Sequence, residues 1–317
     1  MTSIPLPTRR LLRLSFFLLA SAAVGAGAES DPDRTFSNSE AAAADDSSAV
    51  GDLIDRLPQM LANRLPAFEP NGAFRVYLRP HLDELFRRGY VRTPVGVRWK
   101  ASDRVELNGE FQSYFSHGAK MGGDGFSSMN LGAKCEHVLP ALNNGGLSLG
   151  LNFRTPLSRP PAGFTDGHRH LQPYVAATRL LVPEWGLLGY ASIGANFLSH
   201  TPLASNFTRN QLHANSSALT LGAARNWHRL QISFTARLAS TALLSDEGRQ
   251  NISLRPEIVV PLRRPHARTQ MMLTLGGHAI WGPDGRDLGT NHGFRVELNL
   301  DRDGREAHPR WRASSWN

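Results

Sequence analysis

From Phe74 to Leu300 the chain repeats one pattern, in which every second residue of a short stretch is apolar and the residues between are polar or charged. Leu230, Ile232, Phe234 and Leu238 fall on one side of such a stretch, and Arg229, Gln231, Ser233, Thr235 and Arg237 fall on the other. A repeat of two residues is that of a β-strand with two unlike faces. The alternation predicts about twelve strands, near residues 74–86, 88–100, 104–116, 127–138, 146–156, 169–182, 186–199, 214–225, 228–241, 250–262, 268–281 and 292–301. Alternation is weakest in 169–182. Each stretch is long enough for a tilted strand across a bilayer, which takes roughly 9–11 residues. No helical pattern lies between the strands to cover their apolar faces, so lipid is the solvent those faces predict.

The connections alternate too. Lys100 to Arg104, Val182 to Gly186, Arg225 to His228 and Leu262 to Arg268 are short, whereas His117 to Phe126, Leu157 to His168, His200 to His213, Thr241 to Arg249 and Gly282 to Asn291 are longer. Short turns on one rim and long loops on the other are the habit of outer-membrane barrels. The connection near Phe86 to Gly89 breaks the rule, being tight where a long loop is expected. Aromatic residues mark two levels: Trp99, Trp185 and Trp227 beside short turns, and Phe115, Phe153, Phe197 and Trp281 where strands lead into long loops. Amphipathic rings collect where lipid meets water.

Ahead of the strands, Arg9, Arg10 and Arg13, the apolar run Leu11 to Val24 and the small residues Ala26-Gly27-Ala28 read as an export signal over 1–28. Residues 29–72 follow as an Asp/Ser/Ala-rich linker and an amphipathic segment in which Leu53, Ile54, Leu57, Met60, Leu61 and Leu65 recur at helical spacing around Pro58 and Pro66. That segment predicts either a helix that docks at or plugs a pore mouth, or a loosely ordered lead-in. The barrel occupies 73–301, and a polar tail 302–317 ends the chain. No later stretch approaches the roughly 18 apolar residues of a spanning helix. The net charge of +8 comes partly from the signal and the Arg-rich tail, and no basic stretch with interleaved aromatics suggests nucleic acid. The single Cys135 forms no internal disulfide and reads as a small apolar filler on a strand.

The second face of the strands carries the candidate chemistry. On it fall Arg75, Arg79, His81, Asp83, Arg92, Arg98, Lys100, Glu106, Glu110, Lys134, Glu136, Arg154, Arg229, Arg237, Arg255, Glu257, Arg295 and Glu297. A charge facing lipid at the midplane would cost about 2–4 kcal/mol, so these residues are expected to line the lumen. They either border a water-filled pore or neutralise one another in a filled barrel. A hairpin closing at Ala101 to Asp103 would make Arg98 and Glu106 direct neighbours, and closure of the last strand on the first would bring Arg79 level with Glu297.

Thr93-Pro94-Val95-Gly96-Val97-Arg98-Trp99 with Ser102-Asp103-Arg104-Val105-Glu106-Leu107 resembles the hairpins of poorly characterised bacterial outer-membrane barrels, including the phenol-degradation transporter-like family. Asn291-His292-Gly293-Phe294-Arg295-Val296-Glu297-Leu298 is similar to the signal read by the outer-membrane assembly machinery, although here the polar tail follows it. The resemblance implies residence in the bacterial outer membrane, with lipid and the assembly machinery as partners.

Two further chemistries were weighed. Ser116-His117 and Ser199-His200 lie near the long loops, but adjacent strand residues point to opposite faces, so neither pair is a catalytic dyad. His117, His168, His170, His200, His213 and His292 fall in or beside the long loops without the spacing of a metal site, and solvated loop histidines are the expectation. The sequence therefore predicts an all-β, transmembrane antiparallel up-and-down barrel without catalytic residues, metal or cofactor. It is expected to be a porin-like channel for small hydrophilic solutes with a mild anion preference. The alternatives are a non-conducting structural or adhesion barrel and an outer-membrane hydrolase. Solute identity and homo-oligomerisation stay open.

Overall fold

The computed structural model describes residues 54, 57, 63–66, 72–87, 89–117, 123–139, 145–159, 165–203, 214–227, 230–245, 248–262, 269–282 and 291–303. The export signal, most of the linker, nearly all of the tail and the lumenal candidate Arg229 lie outside them. Twelve strands run β1 Phe74–Leu78, β2 Tyr90–Lys100, β3 Val105–Ser116, β4 Gly125–Leu139, β5 Gly145–Pro156, β6 Arg169–Val182, β7 Leu187–Ser199, β8 Ser216–Trp227, β9 Leu230–Ser240, β10 Gln250–Pro261, β11 Thr269–Trp281 and β12 Asn291–Asp303. Each pairs antiparallel with its neighbour in sequence, and β1 pairs with β12, which closes the barrel. Closure removes both sheet edges, the one way a sheet satisfies all its backbone groups in lipid.

The predicted strand ends agree to within a few residues except in the first strand. β1 stops at Leu78, because Pro80 has no N–H to give the ladder. Backbone pairing then continues in the same register on both sides: Arg79 N donates to Pro94 O (2.9 Å), His81 N to Arg92 O (2.9 Å), Leu82 N to Val296 O (2.8 Å) and Leu298 N to Pro80 O (3.1 Å). A single helical turn, α1 Glu84–Arg87, leads into β2 and takes the place of the tight hairpin expected near Phe86 to Gly89. At the opposite rim, Ser102 closes the β2–β3 turn by accepting the N–H of Val105 on its hydroxyl (3.1 Å). The β6–β7 connection is a 3₁₀ turn, Pro183–Trp185, ended by Gly186 at φ 58, a left-handed conformation that glycine adopts without strain.

The two faces are as unlike as the alternation requires. Val95, Val97, Leu107, Phe111, Leu131, Leu147, Leu149, Leu151, Val175, Leu221, Ile232, Phe234, Ile258, Leu275 and Phe294 are exposed on the outer face. Trp99, Trp185 and Trp227 stand exposed at the short-turn rim, Phe115, Phe197 and Trp281 at the long-loop rim, with Phe153 half-buried. Cys135 also faces outward. In water so continuous an apolar surface would aggregate, and in a bilayer it is the solvated state.

Inside, tyrosine and glycine interlock. Tyr77 is the cross-strand partner of Gly96, Tyr174 of Gly150 and Tyr190 of Gly222. In each pair the ring lies over the glycine where a Cβ would sit, so a methyl there would overlap it. At Gly150 the same methyl would also lie 2.9 Å from the backbone oxygen of Ala133, which cannot step aside. Gly150→Ala is therefore expected to lower the stability of the detergent-folded barrel by about 1–3 kcal/mol. Gly109→Ala on the lipid face, where the nearest atom is 3.6 Å away, serves as the neutral control. Urea unfolding followed by tryptophan fluorescence measures both.

Candidate functional site: a charged and partly occupied lumen

Alternation sends Arg98, Lys100, Glu106, Lys134 and Glu136 inward at the short-turn end, where all are buried. The register pairs Glu106 with both Lys100 and Lys134, and sets Arg98 opposite Asn108 rather than opposite Glu106 as the hairpin had suggested. The turn closes one pair earlier than expected, and Arg98 reaches Glu106 along the diagonal: Nε to Oε1 at 3.2 Å and Nη2 to Oε2 at 3.0 Å. Lys134 Nζ lies 3.2 Å from Glu106 and 2.8 Å from Glu136, which Lys100 also engages. Five charges on three strands thus form one ion-pair network. Each desolvated charge costs several kcal/mol alone, so the set is tolerated only because every member has a partner.

Lys134 has one more acceptor, the backbone oxygen of Leu65, at 2.6 Å. The described part of the pre-barrel segment lies in the lumen. Ile54, Leu57 and Leu65 are fully buried against Tyr174, Ala176, Leu180, Leu188, Tyr190 and Ala224, all on the inner face of β6, β7 and β8. The wall also grips its backbone. Tyr174 donates to Asn63 O (3.1 Å), Ser148 to Arg64 O (2.5 Å), and the Gly146 Cα lies against Pro66. The Arg64 guanidinium sits 5.2 Å from the centre of the Tyr174 ring and donates to Gln172 Oε1 at 3.0 Å. Burial lowers the Arg64 pKa, with Tyr174 acting the other way, so this guanidinium depends on the partners it finds.

On the opposite wall, Arg79 lies 3.7 Å from Asp301, and Arg295 pairs with Glu297 and, at 3.8 Å, with Glu257. Glu297 faces His81 at 3.6 Å instead of Arg79, because the β1–β12 register, which pairs Leu78 with Leu300, runs on unchanged past Pro80 and sets His81 opposite Glu297. Asp83 sits beyond β1 and caps the edge of β12, accepting Val296 N at 3.2 Å. Glu84 accepts the backbone N–H and the Nε of Arg92, both at 2.8 Å. Arg75 is buried opposite Arg98. Glu110 accepts from neutral donors, Tyr77 (3.0 Å) and Asn130 (2.9 Å). Arg154, Arg237, Arg255, Arg295 and Glu110 are half-buried, reached by solvent from inside the barrel. Arg237 and Arg255 are diagonal neighbours across β9 and β10, and among the described residues neither has a carboxylate within 4.0 Å.

At the long-loop rim the alternation pointed to solvated histidines, but Asp166, His168, His170 and His200 gather there. Asp166 is fully buried, His170 Nε2 lies 3.0 Å from its carboxylate, and the His168 N–H donates to it at 3.2 Å. Burial pushes the Asp166 carboxyl up, and the hydrogen bond and charge of His170 with the His168 N–H outweigh it, holding the pKa below the ordinary Asp value. His200 meets His168 edge to face at 5.5 Å rather than joining Ser199. His170 Nδ1 then reaches Asn196 Oδ1 (3.0 Å), which also accepts from Gln172 Nε2 (3.1 Å). These contacts link the mouth to Arg64. Alternating His170, Gln172 and Tyr174 was the only sign of them in the sequence.

No protein-family model matches the chain, the phenol-degradation transporter-like resemblance therefore goes no further, and no curated protein matches it. Among solved structures it is similar to the KdgM porin in complex with disordered oligogalacturonate (6% identity over 72% of this chain and 98% of that one, TM-score 0.44). It is also similar to OccD3 of Pseudomonas aeruginosa (11%, 68% and 69%, TM-score 0.34) and to the outer-membrane phospholipase A of Escherichia coli (10%, 80% and 97%, TM-score 0.37). At such identities and TM-scores, function has to be read from this chain's own residues.

Lys134 is the hub of the buried network, and Lys134→Met removes a cation shared by Glu106, Glu136 and Leu65 O. The expected loss is roughly 3–5 kcal/mol of barrel stability, against less than about 1 kcal/mol for Arg237→Met, whose side chain reaches solvent. Urea midpoints of the two refolded variants test the contrast.

Proposed function

We propose that this protein is an outer-membrane channel for small hydrophilic solutes with a preference for anions, its lumen narrowed by Ile54, Leu57 and residues 63–66, and that it performs no catalysis. The carrying observation is the pairing of an apolar outer belt with a lumen whose half-buried arginines, Arg237 and Arg255, have no carboxylate within 4.0 Å among the described residues, Glu257 reaching Arg255 only at longer range. Arg237 lies within electrostatic reach of both Arg255 and Arg64, and Arg295 within reach of Arg255, Arg79 and Arg92. Clustered positive charge in a low-dielectric tube concentrates anions and repels cations. With the two rims as they are in bacterial barrels, the short turns and both strand ends at the β1–β12 seam face the periplasm, and the long loops with Asp166 and the histidines face outward.

A second reading, a non-conducting structural barrel, is favoured by the same inner packing. The network around Lys134, the three interlocked tyrosines and the buried Ile54, Leu57 and Leu65 crowd the lumen. Planar-bilayer recordings separate the two. The channel reading expects discrete current steps and, under a salt gradient, a reversal potential shifted toward that of the anion. The double variant Arg237→Gln with Arg255→Gln is expected to reduce the anion-to-cation permeability ratio by roughly threefold. Folded protein that passes no current under any condition would establish the structural barrel, and cation preference would refute the charge argument.

A further inference from the structure

The contacts from the outer mouth to Arg64 form a chain with a fixed direction. A guanidinium offers donors only, so Arg64 Nη2 requires the oxygen of the Gln172 amide to face it at 3.0 Å. The Gln172 nitrogen therefore faces Asn196, and donates to Oδ1 at 3.1 Å. The same Asn196 oxygen lies 3.0 Å from His170 Nδ1, which must then donate a proton of its own. The other ring nitrogen, Nε2, lies 3.0 Å from the Asp166 carboxylate, which is a pure acceptor when ionised. Both imidazole nitrogens thus face acceptors, and only the doubly protonated ring satisfies both.

We infer that His170 is a proton-operated latch: as the imidazolium it holds Arg64 and its neighbours Asn63, Leu65 and Pro66 against the lumen wall through Asn196 and Gln172, and its deprotonation loosens them. Removing the Nδ1 proton sets a lone pair against Asn196 Oδ1. Asn196 relieves the clash by turning its amide, which sets its nitrogen against Gln172 Nε2. Gln172 must turn in answer, and its nitrogen then meets Arg64, donor against donor. The buried guanidinium is left without its acceptor, and Arg64 Nε already has none. The charged groups around His170 fit this role. Asp166 stabilises the imidazolium from the preceding loop, and Arg154, its cross-strand partner on β5, opposes it but is itself within reach of Asp166 and Glu110. His168 stands on the far side of Asp166 and Leu198 faces the ring from β7. The latch is reached from the long-loop rim and holds a segment that enters from the other end, so external pH would set the state of the plug.

The bond after Arg64 is a trypsin site sheltered by the lumen, and its cleavage reports release. In the full-length purified protein, the rate at which a fragment beginning at Leu65 appears is expected to rise roughly tenfold between about pH 5 and about pH 8. All rates are taken relative to an unfolded-substrate control at the same pH. In His170→Gln the profile is expected to be flat, and in Gln172→Met, which cuts the chain beyond the histidine, flat and fast throughout. If the wild-type profile superimposes on that of either variant, the latch is overturned. Because the current readout rests on the channel reading and the cleavage readout does not, the two can fail separately. Cleavage that rises with pH in a protein that never conducts keeps the latch and sinks the channel, and currents whose pH dependence survives in both variants do the reverse.

Discussion

Lipid cannot hydrogen-bond a peptide group, and this constraint organises the whole molecule. A strand in a bilayer needs a partner on each side, so twelve strands must end by returning to the first, as β12 does on β1. Closure in turn creates an inside. The period of two then commits every other side chain to lipid and the rest to the lumen, so the same backbone rule that decides the fold decides where Arg98, Glu106 and Lys134 go.

Once charges are committed to a narrow interior they must be matched there, and the wall does so in two styles. At the short-turn end three cations and two carboxylates pair at hydrogen-bonding distance, and tyrosines seat themselves on glycines of the next strand. Toward the other half, arginines such as Arg237 and Arg255 stay half-buried and unmatched by carboxylates among the described residues. The first style resembles a protein core and the second an ion pathway. The barrel thus packs one part of its wall as a core and leaves arginines on another part open to solvent.

The described pre-barrel residues join the two. Ile54, Leu57 and Leu65 pack on Leu180, Leu188 and Tyr190, Leu65 O caps the ion network, and Arg64 is tied through an amide chain to a histidine and a carboxylate at the mouth. Short-range packing and polar contacts that run to the mouth thus converge on them. Their hold on the wall combines apolar burial with a few modest polar contacts.

The strands, their faces and the two aromatic levels were legible in the order of residues, because a period of two and the cost of charge in lipid are local rules that need no partner. For the same reason alternation alone puts Lys134 and Glu257 on the face opposite the apolar belt, where both are buried. Register was not legible: whether Arg98 meets Glu106 directly or diagonally depends on how Ser102 closes its turn, and whether Glu297 meets Arg79 or His81 depends on where β12 closes on β1. The stretch 169–182 is the clearest case. Its alternation is weak because Ala176 and Leu180 are apolar yet face inward, and they face inward beneath Ile54, Leu57 and Leu65. The sequence by itself determined which solvent each face of the wall prefers. Only the tertiary structure decided that part of the lumen is not solvent at all but another segment of the chain, because contacts between residues more than a hundred positions apart, such as Arg64 with Gln172, leave no periodicity to read.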